Sequence, residues 1–241
     1  MYSTLKNIAK SILPEKVLSN NERFFRKLIA QRYAGDAVQC NICEFKLKHF
    51  VKRANSDLLC PNCGSLSRTR RLYHTLKQMP LNGKALHFSP PKNLSSKLKM
   101  ISSLDYVTTD FMGEFATDLH YDITSISEND NTFDIIICYH VLEHIKEDTK
   151  AMSELFRVLK PNGICLIQTP FKDGDIYEDD SITSEEAREI AFGQKDHVRV
   201  YSLVSLNERL QTTGFNTEIV SAKNDIFFGF RAEAYIKAIK P

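Results

Sequence analysis

Four of the six cysteines form two closely spaced pairs. Two residues separate Cys40 from Cys43, two residues separate Cys60 from Cys63, and 16 residues lie between the pairs. A two-residue spacer lets both thiolates of a pair face one tetrahedral ion, and two such pairs close a structural zinc site. The spacing therefore predicts a zinc ribbon with all four cysteines as ligands and with no coordination position left open for chemistry.

Two aspartates are candidates for contacts with a nucleoside. From Lys84 onward, short apolar runs alternate with helical patterns, which predicts βαβ units and a mostly parallel, doubly wound sheet. Ligands of such sheets bind beyond the carboxyl ends of the strands. Asp110 and Asp122 follow predicted strands, where a carboxylate can accept hydrogen bonds from ribose hydroxyls or an adenine amino group. A turn or a helix cap is the alternative role for each aspartate.

Four strands and two helices must position these residues. The predicted strands are 85–88, 106–109, 133–138 and 164–169, and the predicted helices between them are 95–102 and 148–159. Two last strands, 216–222 and 228–238, are separated by the short sequence Lys223-Asn224-Asp225, and so short a connection makes them antiparallel. The fold class is therefore α/β, a mostly parallel sheet with a C-terminal antiparallel hairpin, preceded by a small zinc ribbon.

Charge is divided unevenly along the 241 residues. Residues 1–80 carry 15 Lys and Arg against 5 Asp and Glu, a net charge of +10, and the remainder carries 17 against 25, a net charge of −8. We therefore expect the N-terminal third to face nucleic acid, an anionic membrane surface, a phosphorylated substrate or the acidic remainder of the chain. The predicted organisation is basic helices over 1–35, the ribbon and a connecting helix (65–79) over 36–80, and an α/β domain over 81–241 with an insertion at 171–201.

The apolar residues of 1–35 recur at helical spacing beside basic residues, and Pro14 divides them into two helices. A basic amphipathic helix packs on its own protein or makes peripheral contact with a membrane surface. The longest apolar runs fall far short of the ~20 residues that span a bilayer. No secretory signal pattern is present at the start of the sequence, so the expected location is cytoplasmic.

Two segments carry a family resemblance. The sequence FDIIICYHVLEHI begins at Phe133, and ELFRVLKPNGICLI begins at Glu154. Together they resemble the fourth strand, the following helix and the fifth strand of the class I S-adenosylmethionine-dependent methyltransferases, in particular the small-molecule subgroup. The resemblance covers about residues 84–238. It implies a Rossmann-like fold with S-adenosylmethionine as cofactor, and the added four-cysteine ribbon resembles a bacterial methyltransferase group.

The resemblance also implies which residues contact the cofactor. Asp110 would bind the ribose, and Asp122 and Ile123 would bind the adenine. The complete expected set is His87, Phe88, Ser89, Pro90, Asp110, Phe111, Asp122, Ile123, Tyr139, His140, Val141 and His144. The family usually has an acidic residue and a Gly-rich loop after the first strand, whereas this chain has a glycine-free His-Phe-Ser-Pro-Pro sequence. We expect a modified loop that still admits the cofactor.

The insertion at 171–201 has the length of a lid or binding loop. A hydroxyl acceptor needs a base to take its proton, and His197 is the predicted catalytic base, with His140 as the competing candidate. The predicted substrate-binding residues are Asp196, Arg199 and Tyr201.

Glu143 and His144 are adjacent metal-ligating residue types. Neighbouring residues on a helix point about 100° apart, which makes joint ligation of one ion awkward. They are therefore interpreted as helix-start residues near the cofactor rather than as a metal site.

These residues favour an enzyme that transfers a methyl group from S-adenosylmethionine to oxygen or nitrogen of a small-molecule or glycan-precursor acceptor. Two alternatives stay open. An RNA methyltransferase would bind phosphates through the basic ribbon. That phosphate-binding face would comprise Lys46, Lys48, Lys52, Arg53, Arg68, Arg70 and Arg71. A non-catalytic binding protein would have lost the cofactor at the glycine-free loop.

Overall fold

The structure is a computed structural model that describes residues 21–110, 113 and 117–241. The described residues form two compact units. Of the described residues, the first unit comprises those up to Pro80 together with 93–97 and 222–233, and the second comprises those within 81–92, 98–221 and 234–241. The first of the two predicted N-terminal helices and the predicted cofactor residue Phe111 lie outside the described residues.

Short strands and two helices build the first unit. Its elements are α1 (Glu22–Ala30), a 3₁₀ turn (Gln31–Tyr33), β1 (Ala34–Gln39), β2 (Lys46–Leu47), β3 (Val51–Lys52), β4 (Leu58–Leu59) and α2 (Ser67–Lys77). β1 pairs antiparallel with β2, and β3 pairs antiparallel with β4. These two short hairpins each present one cysteine pair, as a zinc ribbon requires.

Arg70 on α2 is the central polar residue of the first unit. Its side chain is fully buried, at 0% exposure. The guanidinium donates hydrogen bonds to four backbone carbonyl oxygens, those of Leu58, Ser65, Phe228 and Gly229. The charged group therefore ties one of the hairpins to the segment at 222–233, and its buried donors are satisfied.

The connection before the last strand differs from the prediction. The strand expected over 228–238 is β12 (Glu233–Ile239), and the preceding connection packs in the first unit instead of forming a tight hairpin turn. Within it, Gly229 has a φ of +64°, and a Cβ there would lie 2.5 Å from the Phe50 ring. The apolar run of this connection imitates a strand in the sequence, but it is only partly buried: Phe230 is 4% exposed, whereas Ile226 and Phe227 are 85% and 47% exposed.

The second unit is built on a six-stranded sheet. The remaining elements of the chain are β5 (Gly83–Phe88), α3 (Lys92–Leu98), β6 (Leu104–Thr109), β7 (Phe133–Tyr139), a 3₁₀ turn (Leu142–His144), α4 (Asp148–Val158), β8 (Leu159–Gln168), β9 (Tyr177–Glu178), α5 (Glu185–Phe192), β10 (Arg199–Val200), α6 (Leu203–Thr212) and β11 (Asn216–Ala222). Residues 93–97 of α3 belong to the first unit. The strand order is β11-β12-β8-β7-β5-β6. The pairs β6–β5, β5–β7 and β7–β8 are parallel, and β12 is antiparallel to β8. The predicted α/β class with a mostly parallel sheet and a C-terminal antiparallel pair is confirmed.

Continuous burial of the central strands explains this sheet. Every residue of β7 except Asp134 is buried, as expected for a parallel strand with both faces covered. On α4, Ala151, Leu155 and Val158 recur on one face and belong to the same core. Residues that follow β5 and β7 therefore lie at the middle of the carboxyl edge of a rigid sheet. Among the described helices, none has the length and apolarity needed to cross a membrane.

Candidate functional site

Two strand ends at the centre of the sheet have an unusual backbone conformation. Ser89 follows β5 with a φ of 45°, and His140 follows β7 with a φ of 55°. Residues other than glycine rarely adopt this left-handed conformation, and such residues cluster at ligand-binding and active sites. Each is held by a strand-end hydrogen bond of 2.8 Å, from the Ser89 amide to the Thr109 carbonyl and from the His140 amide to the Gln168 carbonyl.

The glycine-free loop after β5 consists of Ser89 and two prolines. Ser89 takes the positive φ that glycine usually provides, and its Oγ donates to Oδ1 of Asp110 at 2.7 Å. Pro90 is buried and leads into α3. The serine therefore replaces the glycine in the turn and also orients a carboxylate on the neighbouring strand end. Cofactor contacts at Ser89 and Pro90 stay a prediction.

The two predicted nucleoside-binding aspartates differ in their surroundings. Asp110 is only 4% exposed, and its backbone oxygen accepts from Nδ1 of His120 at 2.7 Å. Asp122 is exposed, and its Oδ1 accepts from both the amide and the hydroxyl of Thr124 at 2.8 Å. Asp122 therefore has the turn role that the sequence left open. An adenine contact at Asp122 and the buried Ile123 stays a prediction.

The end of the insertion is fastened to the turn that follows β7. The Val198 amide donates to the Glu143 carbonyl at 2.9 Å. The Arg199 guanidinium donates to the carbonyl oxygens of Ile145 and, at 2.8 Å, Lys146. These bonds bring residue 197 of the insertion next to the strand-end residues, although more than fifty residues separate them in the sequence.

Arg199 and Tyr201 are buried, which differs from their predicted role at the acceptor. Arg199 Nε donates to Glu178 at 2.8 Å, and the Tyr201 hydroxyl donates to Oδ2 of Asp148 at 2.5 Å. Arg209 donates to Asp148 at 2.6 Å and completes the network. An acceptor could reach either side chain only by displacing these bonds. We therefore assign Arg199 and Tyr201 to positioning the insertion.

Three side chains with metal-ligating atoms meet at this junction. One ligand atom from each of Glu143, His144 and His197 lies within 4.8 Å of the others. The rings of His144 and His197 contact each other edge to face, with centroids 4.7 Å apart. Predicted substrate residue Asp196 places Oδ2 3.0 Å from Nδ1 of His144. Although Glu143 and His144 are adjacent in a 3₁₀ turn, their ligand atoms therefore lie near each other and near His197 of the insertion.

Several buried polar atoms at the same edge have no hydrogen-bond partner among the described residues. They include Nε2 of His140, Oε1 of Gln168 and Oγ1 of Thr169. Buried polar groups are nearly always paired, so unpaired ones at strand ends indicate a place for a ligand. The sequence analysis places Gln168 and Thr169 inside the predicted strand 164–169 and does not single them out. The observed strand β8 ends at Gln168, so the rule that sites follow strand ends points to both residues. Tyr139 and Val141 lie on the same segment as His140, buried and half-buried respectively, and their cofactor contacts stay a prediction.

Comparison with known proteins agrees with this geometry. A family model described as "Methyltransferase domain" matches residues 90–220, more than half of the chain. The chain belongs to this methyltransferase family. The resemblance to class I S-adenosylmethionine-dependent methyltransferases, stated from the sequence, is therefore confirmed.

Two relatives with known descriptions match this chain over short segments only. A "Probable S-adenosylmethionine-dependent methyltransferase" of Mycolicibacterium smegmatis is 29% identical over 99 residues, which are 41% of this chain and 35% of that protein. A ubiquinone biosynthesis O-methyltransferase of Rickettsia typhi is 40% identical over 42 residues, 17% of each protein. The chain thus matches about a third or less of the length of these relatives.

A solved structure shares the fold of the methyltransferase domain. The S-adenosylmethionine-dependent methyltransferase from Archaeoglobus fulgidus has a TM-score of 0.52 at 16% identity, covering 72% of this chain and 93% of that chain. At this identity the likeness concerns the fold alone.

His87 and Phe88, just before the residues matched by the family model, lie inside the packed second unit. His87 is 1% exposed, with Nδ1 2.7 Å from the Tyr106 hydroxyl, and Phe88 is 4% exposed. These contacts give both residues a packing role, and their assignment to the cofactor stays a prediction. Burial lowers the pKa of His87 to about 3 from its ordinary value of 6.5.

The buried His87 predicts a pH-dependent stability. Above pH 6.5 neither state binds a proton at His87, whereas below it the unfolded chain binds a proton that the folded chain does not accept until about pH 3. Above pH 6.5 the protonation of His87 therefore does not change the free energy of unfolding. Below pH 6.5 it lowers that free energy as the pH falls, by up to about 1.4 kcal/mol per pH unit.

Urea unfolding of the wild type and His87→Gln between pH 7 and pH 5 measures this effect. As the pH falls, the wild type should lose more free energy of unfolding than His87→Gln does. His49→Gln, at an exposed histidine, is the control. A pH-independent difference for His87→Gln would contradict the prediction.

The four cysteines of the first unit lie close together, as the sequence predicts. Their sulfur atoms all lie within 4.8 Å of one another, with 3.7 Å between Cys40 and Cys63 and between Cys43 and Cys60. Tetrahedral ligation at about 2.3 Å places sulfur atoms about 3.8 Å apart. The cluster therefore fits a tetrahedral thiolate site.

The two cysteine turns have matching backbone conformations. The Glu44 amide donates to the Cys40 carbonyl at 2.8 Å, and the Gly64 amide donates to the Cys60 carbonyl at 2.9 Å. Glu44 and Gly64 have φ values of 62° and 78°. The two-residue spacing within each cysteine pair therefore corresponds to the same backbone turn in both pairs.

Two residues of the predicted phosphate-binding face are buried in the first unit. Arg70 is 0% exposed and Arg71 is 7% exposed. Arg71 donates to the backbone oxygens of Lys223 and Arg231 instead of facing solvent. The assignment of these two arginines to a phosphate-binding surface is corrected, because both side chains are buried and donate to backbone oxygens within the unit.

Proposed function

We propose that the protein is an enzyme that transfers a methyl group from S-adenosylmethionine to an oxygen or nitrogen atom of a small-molecule or glycan-precursor acceptor. The observation that carries this proposal is the buried Asp110 carboxylate, held by Ser89 directly after β6 in a domain of the methyltransferase family. The shared segment with an O-methyltransferase supports oxygen as the acceptor atom. The cofactor supplies the reactive methyl group. The side chains of this protein would bind and orient the cofactor and the acceptor, and one of them would take the proton of the acceptor.

Each step of the transfer has a candidate group at the sheet edge. Asp110 would accept hydrogen bonds from the ribose hydroxyls, which fixes the cofactor along the strand ends. Transfer in line depends mainly on positioning. Nε2 has no hydrogen-bond partner in the described chain for either histidine, and we favour His140 over His197 as the base because Nδ1 of His140 lies 3.3 Å from Oε1 of Glu143. A carboxylate beside the second ring nitrogen orients a basic imidazole.

We infer that the four-cysteine cluster holds a structural zinc ion. The sulfur separations support tetrahedral thiolate ligation, and the Asn62 side-chain amide donates to Cys43 Sγ at 3.3 Å, as a donor to a thiolate would. With four protein ligands the ion would have no open coordination position. Its role would be to stabilise the first unit.

Asp110→Ala tests the proposed cofactor site. Calorimetric titration of the zinc-loaded protein with S-adenosylhomocysteine should show saturable binding that Asp110→Ala weakens by about 1 to 3 kcal/mol, since two ligand hydroxyls lose their acceptor. Asp105→Ala, at an exposed aspartate on the same strand, should leave the affinity unchanged. Absence of binding to the zinc-loaded wild type would reject the proposal and favour a non-catalytic role.

A further inference from the structure

We propose that Glu143, His144 and His197 form a binding site for a divalent metal ion that holds the acceptor oxygen during methyl transfer. The site would take a borderline or hard ion such as Mn²⁺, because two imidazoles and one carboxylate suit such ions better than soft ones. The proposal rests on the proposed function and narrows its acceptor to a hydroxyl.

The carboxylate of Glu143 is the first argument for a bound cation. Glu143 is 1% exposed, and neither of its carboxylate oxygens has a hydrogen-bond partner among the described residues. A buried carboxylate without hydrogen-bond donors is costly, and a metal ion is one of the few groups that compensates it. The titratable groups around Glu143 are His140, whose Nδ1 lies 3.3 Å from Oε1, and the two histidines of the proposed site.

The two histidines are oriented as metal ligands usually are. Nδ1 of His144 faces the Asp196 carboxylate at 3.0 Å, and Nδ1 of His197 faces the Phe192 carbonyl at 3.2 Å. Both partners are acceptors only, so each Nδ1 carries the proton and each Nε2 presents a lone pair. A histidine ligand typically donates its other ring N–H to a carboxylate or a carbonyl in this way. Nε2 of the buried His197 has no hydrogen-bond partner in the described chain.

The geometry permits joint ligation with small movements. The three ligand atoms lie within 4.8 Å of one another, whereas ligands at about 2.1 Å from one ion lie roughly 3 to 4 Å apart. The His144 side chain is 29% exposed and has room to rotate. His197 is held from the other side by the bonds that fasten the insertion, which explains the role of Arg199 in this site.

Three protein ligands leave coordination positions open for an acceptor hydroxyl. Coordination lowers the pKa of the hydroxyl, so that its proton passes to a base at the edge, for which His140 is the candidate. The acceptor oxygen then forms a bond with the methyl carbon while the carbon–sulfur bond of S-adenosylmethionine breaks. The sulfonium becomes the neutral thioether of S-adenosylhomocysteine, so atoms and charge balance.

Titration with Mn²⁺ tests the site. The full chain is first loaded with zinc, so that the four-cysteine cluster does not compete for Mn²⁺. It is then titrated with Mn²⁺, and free Mn²⁺ is measured by electron paramagnetic resonance. We expect one site per chain in the wild type and at least tenfold weaker binding in Glu143→Gln. Glu147→Gln, at an exposed carboxylate four residues along the chain, is the matched control and should bind as the wild type does.

Two further measurements make each outcome decisive. His144→Gln, at a half-exposed ligand, repeats the test if Glu143→Gln does not fold. S-adenosylhomocysteine titration of the same proteins separates the two proposals. Cofactor binding without Mn²⁺ binding in the wild type, or equal Mn²⁺ binding in Glu143→Gln, would overturn the metal site and leave the methyltransferase proposal standing. Mn²⁺ binding without cofactor binding would reject the methyltransferase proposal and, with it, the acceptor role of the ion.

Discussion

Cys60→Ser is expected to abolish stoichiometric zinc binding and to unfold the zinc ribbon. A serine hydroxyl is a poor replacement for a thiolate, and the remaining cluster would have three soft ligands for an ion that structural sites hold with four. Binding of structural zinc contributes about 10 to 16 kcal/mol in small zinc modules, because the metal-free segment is unfolded. Zinc content by mass spectrometry and limited proteolysis of the residues between 36 and 66 measure the two effects.

Cys165→Ala is the matched control for this substitution. Cys165 is also buried but lies on β8, within the core of the second unit. It should retain one zinc ion per chain and a protease-resistant ribbon. Retention of zinc by Cys60→Ser, or equal zinc loss in both variants, would contradict the assignment of the cluster. Chelation of the wild type should reproduce the proteolysis pattern of Cys60→Ser.

Arg70→Met is expected to destabilise the first unit by about 3 to 5 kcal/mol, because hydrogen bonds from a charged donor contribute about 1.5 to 3 kcal/mol each and are not additive. The guanidinium is fully buried and supplies hydrogen bonds to four backbone carbonyl oxygens, and methionine has a similar length but no donor. Each carbonyl left without its donor costs free energy. The urea concentration at which zinc is released from the wild type and the variant measures the loss in this unit.

Arg68→Met separates this effect from a general loss of positive charge. Arg68 lies on the same helix two residues earlier and is exposed, so its replacement should change the unfolding free energy by no more than about 0.5 kcal/mol. Arg70→Lys should recover only part of the stability, since an ammonium group cannot span the same carbonyls. Equal destabilisation by Arg68→Met and Arg70→Met would contradict the structural role of Arg70.

The sheet could be predicted from the sequence because its strands are continuous apolar runs. The strand expected over 133–138 is β7, one residue longer, and the helix expected over 148–159 is α4, one residue shorter. The strand expected from 164 instead begins at Leu159. A Pro-Asn-Gly sequence there reads as a turn, but a shift in pairing between Phe133 and Ile135 accommodates it within the strand.

The sequence predicts the parts of the candidate site that come directly after a strand, but not the contacts between segments that are far apart in the chain. Asp110 and His140 were found because each comes directly after a strand, and the structure places both at one edge of the sheet. The meeting of Glu143 with His197 depends on how the insertion folds back, which side-chain types do not reveal. Arg199 and Tyr201 were expected at the acceptor because the sequence shows that these polar side chains are present. It does not show whether they already have hydrogen-bond partners within the protein.

The placement of residues 222–233 in the first unit has a consequence for synthesis on the ribosome. Arg70 donates to the carbonyl of Phe228, which is added to the chain 158 residues later. At about 5 to 20 residues per second, Arg70 therefore leaves the ribosome roughly 8 to 30 s before Phe228 does. The nascent N-terminal unit must wait in an incomplete state, with a buried arginine still unmatched, so chaperones have more time to bind it than they would a module that folds as it emerges.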